Sequence, residues 1–244
     1  MIQIKHLTKS FGNNLVWKDV SLEIPDGQTL AIIGKSGCGK SVLLKHLNAL
    51  LYPDSGSITI DGHQLFELSY VELRKIRQKF GILFQGAALF DSINTFENVA
   101  FPLRYFTDYT EDEIEDRVIK ALEMVNLKES GDKPTSALSG GMRKRVGLAR
   151  AIILEPQYVL YDEPTSGLDP KTSEEINELI VALAKQLSIT SIVITHDMYS
   201  VLQIAEQVAF LDDQKLSWSG TIDEMKTSTH PPLLDFIKAS EYQI

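Results

Sequence analysis

Apolar and polar positions alternate at the start of the chain: Ile2 and Ile4, then Val20, Leu22 and Ile24, ending at Pro25-Asp26-Gly27. A period of two predicts N-terminal β-strands with one face on a core. The apolar run Thr29-Leu30-Ala31-Ile32-Ile33 predicts another strand, and Val42-Leu43-Leu44-Lys45-His46-Leu47 predicts a helix. Pro53-Asp54-Ser55-Gly56 and Asp61-Gly62 are turns around a short alternating strand, Ser57-Ile58-Thr59-Ile60. Phe80-Gly81-Ile82-Leu83-Phe84 reads as a buried strand ending at Gln85. From about residue 95 to 154 the period becomes helical, with Ile114, Val118, Leu122 and Val125 at helical spacing. Ser139-Gly140-Gly141 opens a further helix whose apolar face includes Val146, Ala149 and Ala151. Strand-like runs return at Tyr158-Val159-Leu160-Tyr161, Ile192-Val193-Ile194-Thr195 and Val208-Ala209-Phe210-Leu211, with helical segments between them. Strands alternating with helices predict an α/β fold with a largely parallel sheet covered on both faces. The stretch after about residue 226, with Pro231-Pro232, reads as a peripheral tail.

Composition narrows the function classes. The 244 residues are 43% hydrophobic and 23% charged, enough for a sizeable core. A formal net charge of −9 argues against a free-standing nucleic-acid binder and against electrostatic docking on an anionic membrane. The local cluster Arg143-Lys144-Arg145 reads as a solvated helix face. No apolar run approaches the length of a membrane span, and Met1-Ile2-Gln3-Ile4-Lys5 lacks the apolar core of a signal peptide, so a cytosolic location is expected. One cysteine, Cys38, excludes an internal disulfide. Its place near a helix N-terminus is expected to favour the thiolate, although it also reads as a small filler.

The chemistry is concentrated in a few short stretches. Gly34-Lys35-Ser36-Gly37-Cys38-Gly39-Lys40-Ser41 matches G-x-x-x-x-G-K-[ST] between a predicted strand and a predicted helix. Glycines let successive N–H groups point at phosphate oxygens, and the helix N-terminus adds partial positive charge. Lys40 would reach the β- and γ-phosphates, and the Ser41 hydroxyl would bind Mg²⁺. Tyr158-Val159-Leu160-Tyr161-Asp162-Glu163 is an apolar strand ending in two carboxylates. Asp162 would support the Mg²⁺ shell and Glu163 would polarise an attacking water, although many strands end in a polar turn. Leu138-Ser139-Gly140-Gly141-Met142 offers backbone N–H groups at a second helix N-terminus, which suggests a site shared between two subunits.

The order of phosphate loop, Gln85, Leu138-Ser139-Gly140-Gly141, Asp162-Glu163, Ser166-Gly167-Leu168-Asp169 and His196 resembles the ATP-binding cassette (ABC) family over residues 1 to 225. That resemblance implies a P-loop nucleotide-binding core with a mainly parallel sheet, an N-terminal antiparallel β subdomain and an inserted α-helical signature subdomain. The implied boundaries are 1–86 and 158–225 for the core, 87–157 for the signature subdomain and 226–244 for the tail. ATP and Mg²⁺ are the implied cofactors. Phe11 falls at the position that stacks on adenine, though it also reads as a core aromatic. Gly34 to Ser41, with Val42, hold the triphosphate. Gln85 touches Mg²⁺ and the attacking water. Ser139, Gly140 and Gly141 contact the γ-phosphate held by a second copy of the chain, and Asp169 lies in the loop crossing that dimer interface. Asp162 supports Mg²⁺ and Glu163 is the general base. His196 bonds the γ-phosphate and orients Glu163. The mechanism implied is ATP-driven head-to-tail closure of a dimer.

With one nucleotide-binding unit and no predicted span, the pore is expected on a separate multispanning permease, and the chain is expected on the cytoplasmic face of a bacterial inner membrane. Gln85-Gly86-Ala87-Ala88-Leu89-Phe90-Asp91-Ser92, Glu97-Asn98-Val99-Ala100-Phe101-Pro102-Leu103-Arg104 and the run from Leu138 to Arg150, with Met142 where many cassettes carry Gln, look like the ATPases of Mce- and Mla-type lipid transporters and their toluene-tolerance relatives. This likeness implies phospholipid movement between inner and outer membranes, an Mce-domain lipid-binding protein as partner, and a small STAS-domain regulator as an optional one. Residues 231–244 do not resemble the longer C-terminal extension of some Mla ATPases. An importer of a small polar solute, such as an amino acid, is the second reading. A cassette acting on nucleic acid or ribosomes is the third; no nucleic-acid partner is expected.

Overall fold

The computed structural model describes residues 1–240. In chain order it contains β1 (Ile2–Phe11), β2 (Asn14–Ile24), β3 (Thr29–Ile33), α1 (Lys40–Leu47), β4 (Ser55–Ile60), β5 (His63–Gln64), α2 (Tyr70–Gln78), β6 (Phe80–Leu83), α3 (Thr95–Phe106), α4 (Glu111–Met124), α5 (Gly140–Ile152), β7 (Tyr158–Asp162), α6 (Pro170–Leu187), β8 (Thr190–Ile194), α7 (Met198–Ile204), β9 (Gln207–Asp212), β10 (Lys215–Thr221), α8 (Ile222–Lys226) and α9 (Pro231–Ala239). Short 3-10 turns connect some of them. The chain divides into two compact units, one of Met1–Arg77 with Thr190–Ile244, the other of Gln78–Ile189.

In the first unit, β2, β1, β4 and β5 form an antiparallel sheet in that order. Its register shifts between Ile4 and Leu7, where His6 takes φ 52 and opposite which Asp19 takes φ 58. The His6 ring nitrogen Nδ1 lies 2.7 Å from the Asp19 carboxylate, pinning that irregularity. β3 runs parallel to both β8 and β9, and β10 closes antiparallel on β9. All five residues of β3 and of β8 are buried, as strands covered on both faces require. The segment read from sequence as a peripheral tail supplies α9, although residues 241–244 lie outside the described residues. Leu233, Phe236 and Ile237 of α9 join Ala31, Ile33, Val208 and Phe210 in one cluster, with the Phe210 and Phe236 rings 5.3 Å apart. Burying each such side chain contributes about 1.5–3 kcal/mol.

In the second unit β6 and β7 pair in parallel, with Phe80 stacked on Tyr158 at 5.0 Å. The helices start where the sequence supplies caps. The Asn94 side chain accepts from the Glu97 N–H to open α3, Thr110 and Glu113 form a reciprocal capping box on α4, and Ser139 accepts from Met142 N–H to open α5.

Candidate nucleotide site

The loop expected to hold phosphate lies between β3 and α1. Gly37 and Gly39 take φ 82 and 95, in the left-handed region that glycine adopts at little cost. Gly39 also lies against the buried indole of Trp17, where a built Cβ would meet Nε1 at 2.5 Å. Gly39 caps α1 without a side-chain hydrogen bond, at the helix end whose partial positive charge favours an anion. Lys40 is buried, and its Nζ donates to the carbonyls of Gly34 at 2.7 Å and Lys35 at 3.0 Å. Lys35, Ser36 and Ser41 are exposed, while Val42 is half-buried and its carbonyl lies 2.7 Å from His46 Nδ1. Cys38 differs from expectation: burial raises its thiol pKa, outweighing the Lys40 charge, so the thiolate is disfavoured.

Also in the first unit, Phe11 ends β1 and is 48% exposed, so it is not a core aromatic. Lys9 Nζ stands 5.3 Å from the ring centroid, a cation–π distance. His196 follows the fully buried Thr195 and is exposed just before α7, which Asp197 caps through the Tyr199 N–H at 3.0 Å.

The second unit carries the carboxylates and the signature. Asp162 ends β7 and Glu163 follows it, both partly exposed. Glu163 has φ 48, a left-handed conformation uncommon for a residue with a long side chain. Its carbonyl accepts from Lys144 Nζ at 3.0 Å and from Ser166 N–H at 3.2 Å. Gln85 is exposed, and its Nε2 donates to Ser166 Oγ at 3.3 Å, which brings Gln85 to the loop after Glu163. Ser139 and Gly140 reach the surface at the start of α5, whereas Gly141 is buried against α6; a Cβ there would meet Thr172 Cγ2 at 2.6 Å. Asp169 caps α6, accepting from Thr172 N–H at 3.1 Å and Thr172 Oγ1 at 2.6 Å, and those bonds hold its carboxyl below the usual carboxylate range. Thr172 thus brings the signature glycines and Asp169 together.

Lys144 does not lie on a solvated face, as its basic run suggested. It is 4% exposed, donates to the Gln85 and Glu163 carbonyls, and burial pushes its pKa down to about 8 against the opposing pull of Glu163 and Asp162. The sequence did hold the signal: Gly147, Leu148 and Ala151 stand three, four and seven residues on, one helical face, and all are buried.

Among the described residues, no three or more His, Cys, Asp or Glu side chains gather as a metal site. The donors expected for Mg²⁺ are the Ser41 hydroxyl, the Gln85 carboxamide and the Asp162 carboxylate, all hard oxygens of the kind that ion takes.

The ABC transporter family model matches residues 17–166, more than half the chain and spanning the phosphate loop, Gln85, the signature and both carboxylates. The chain belongs to the ABC transporter family. The cassette therefore has the fold of that family's ATPases, which hydrolyse ATP in transport and pair as dimers with a membrane permease. It is 44% identical over 236 residues to the probable ribonucleotide transport ATP-binding protein mkl of Mycobacterium leprae, covering 97% of this chain and 68% of that one. Mycobacterial relatives of the same name are covered over 66% of their length. The cassette is 40% identical to the intermembrane phospholipid transport system ATP-binding protein MlaF of Haemophilus influenzae, covering 98% of this chain and 90% of that one. Among solved structures, a dimeric bacterial ABC transporter cassette, MJ0796, superposes with a TM-score of 0.83 at 32% identity, over 91% of this chain and 99% of that one. A second structure of that cassette is a post-hydrolysis dimer bound to ADP and phosphate.

Proposed function

We propose that this cassette is the ATPase subunit of a lipid transporter, most simply one moving phospholipid between the inner and outer membranes of a bacterium. The observation that carries this reading is the surface following Gln85. Phe90 and Phe101 are each 44% exposed with rings 4.9 Å apart, and Tyr105, 57% exposed, stacks 6.4 Å from Phe101. Clustered exposed aromatics suit a docking site for a multispanning permease, and they lie in the stretch that resembles Mce- and Mla-type ATPases. The MlaF relative supports the same assignment. An Mce-domain lipid-binding protein and a STAS-domain regulator would complete such a complex at the cytoplasmic face of the inner membrane. No helix among the described residues is long and apolar enough to cross a membrane, so the spanning part belongs to that permease in this reading. Relatives named for methionine import support the second reading, a polar-solute importer.

The chemistry follows from the residues. Lys40 exchanges two backbone carbonyls for charged phosphate oxygens, a stronger hydrogen bond for an ammonium. Mg²⁺, when bound, neutralises charge developing on the phosphate oxygens. Ser41, Gln85 and Asp162 would hold it. Glu163 draws the proton from the attacking water, and His196 bonds the γ-phosphate. Ser139, Gly140 and Gly141 complete the site of a second copy. ATP then binds the closed dimer better than the open one, and that difference in affinity drives closure.

The test is Glu163→Gln, expressed with ATP, extracted in mild detergent and examined by mass spectrometry. The expected result is retained ATP binding, loss of most turnover, and recovery of a multispanning permease, an Mce-domain protein and phospholipid. Recovery of a permease with a solute-binding protein instead would replace the lipid assignment with the polar-solute one. Near-normal turnover would remove Glu163 as the base.

A further inference from the structure

We propose that Lys144 is a positioning residue for ATP hydrolysis: from α5 it ties the Gln85 backbone to the Glu163 backbone and holds the base in its working conformation. The inference rests on Glu163 being the base. Three observations carry it. First, both hydrogen bonds of the Lys144 ammonium go to main-chain carbonyls, one on each of two loops far apart in sequence. Burying an ammonium at 4% exposure is costly, and a leucine would fill the same space without that cost. A lysine there is explained by what it holds. Second, the loops it holds are strained. Glu163 has φ 48, and Ala87 and Ala88, just after Gln85, have φ 60 and 46. Non-glycine residues persist in such conformations only where surrounding structure over-determines them. Third, the same helix grips the second strained pair. Arg150 donates to Ala87 O at 2.6 Å and Ala88 O at 2.8 Å. Gly147, between the two cations, lets α5 close on β6 and this loop, since a Cβ there would meet Leu83 Cδ1 at 2.6 Å. The Gln85 loop and the base are therefore fastened to the helix that begins with the signature glycines.

Lys144 touches neither nucleotide nor water in this scheme; it acts through Glu163 and Gln85. Its loss should misplace the base without weakening phosphate binding, and a misplacement of about 1 Å can cost about a hundredfold in rate. The experiment compares wild type, Lys144→Met, Lys144→Arg, Glu163→Gln and the Lys144→Met/Glu163→Gln double variant as full chains, in steady-state ATP hydrolysis and in thermal melts. Lys144→Met is expected to lower kcat about tenfold to a hundredfold with KM for ATP within about threefold. Lys144→Arg, which keeps donors on a similar stem, is expected to recover most of that loss. The double variant is expected to lose clearly less than the product of the two single losses, because the part of the Lys144 effect that acts through the base cannot be lost twice. The proposal is overturned if Lys144→Met turns over within about twofold of wild type, or if its loss multiplies with that of Glu163→Gln. Should Lys144→Met fail to fold, Lys144→Gln, too short to span both carbonyls, replaces it under the same criteria. Inactive Glu163→Gln beside active Lys144→Met rejects this inference alone; active Glu163→Gln rejects the base assignment and the inference with it.

Discussion

Backbone strain at Glu163 has a consequence for stability that is opposite in sign to the usual one. Replacing alanine by glycine normally destabilises an extended or helical site by about 0.5–1 kcal/mol, because glycine loses more conformational freedom on folding. At φ 48 the balance changes, since an L-residue in the left-handed region carries about 1–2 kcal/mol of steric cost that glycine escapes. The site cannot relax by rotating away, because Lys144 and Ser166 hold the Glu163 carbonyl. Subtracting the entropy cost from the relieved strain, at the middle of each range, leaves Glu163→Gly more stable than Glu163→Ala by about 0.75 kcal/mol, a shift of about 1.5–3 °C in Tm for a chain of this size. Both variants lose the carboxylate and its interactions, so those losses cancel in the comparison. Asp162 supplies the control one residue earlier. It ends strand β7 outside the positive-φ region, so Asp162→Gly should be less stable than Asp162→Ala by about 0.5–1 kcal/mol. Urea unfolding followed by circular dichroism, with equal m-values across the four variants, reads both differences. If Glu163→Ala is as stable as Glu163→Gly, the strain reasoning is refuted, and with it the second of the three arguments for Lys144.

Two further outcomes follow from buried polar groups. His46 is fully buried, and burial lowers its pKa despite the carbonyls of Val42 and Tyr52 and the Asp54 carboxylate; Lys9 reinforces the lowering. As pH falls below about 6.5 the unfolded chain takes up a proton that the folded chain refuses, so stability is lost toward acid. Tm measured from pH 7 to pH 5 should therefore fall more steeply for wild type than for His46→Phe; parallel profiles would contradict the sign. Asn98, fully buried, accepts from Phe90 N–H at 2.8 Å and donates to the carbonyls of Asn94 at 2.9 Å and Phe90 at 3.1 Å. Asn98→Ala should cost about 2–4 kcal/mol and loosen the loop presenting Phe90, so permease co-purification should drop while ATP affinity of the isolated chain holds. Unchanged permease recovery would detach this loop from docking.

What was legible in the sequence is what local chemistry decides. A phosphate loop can be read because its glycines specify backbone shape within a few residues, and β3 because Leu30 to Ile33 has no polar side to expose. Asp169 and Ser139 stand in the motif order as expected dimer-interface residues, and the structure shows each as a helix cap, through Thr172 and Met142 respectively. What escaped reading depends on distant partners. The bulge at His6 needs Asp19 across the hairpin, and α9 is a core helix only because β9 and β3 offer it Phe210 and Ile33. Cys38 sits at the helix N-terminus that favours a thiolate, yet desolvation outweighs that pull.

Lys144 sets charge type against helical phase: three basic residues in a row suggest solvent, while the buried face of Gly147, Leu148 and Ala151 directs the middle one inward. Motif patterns name the atoms that meet ATP, because those atoms must be particular types at particular spacings. They do not name the groups that keep such atoms strained into place. Glu163 is written plainly just after its strand, but its φ of 48 is not, and neither is the lysine nineteen residues earlier that donates to its carbonyl. A buried cation whose hydrogen bonds all end on main-chain oxygens therefore points to a backbone conformation that side-chain motifs alone do not encode.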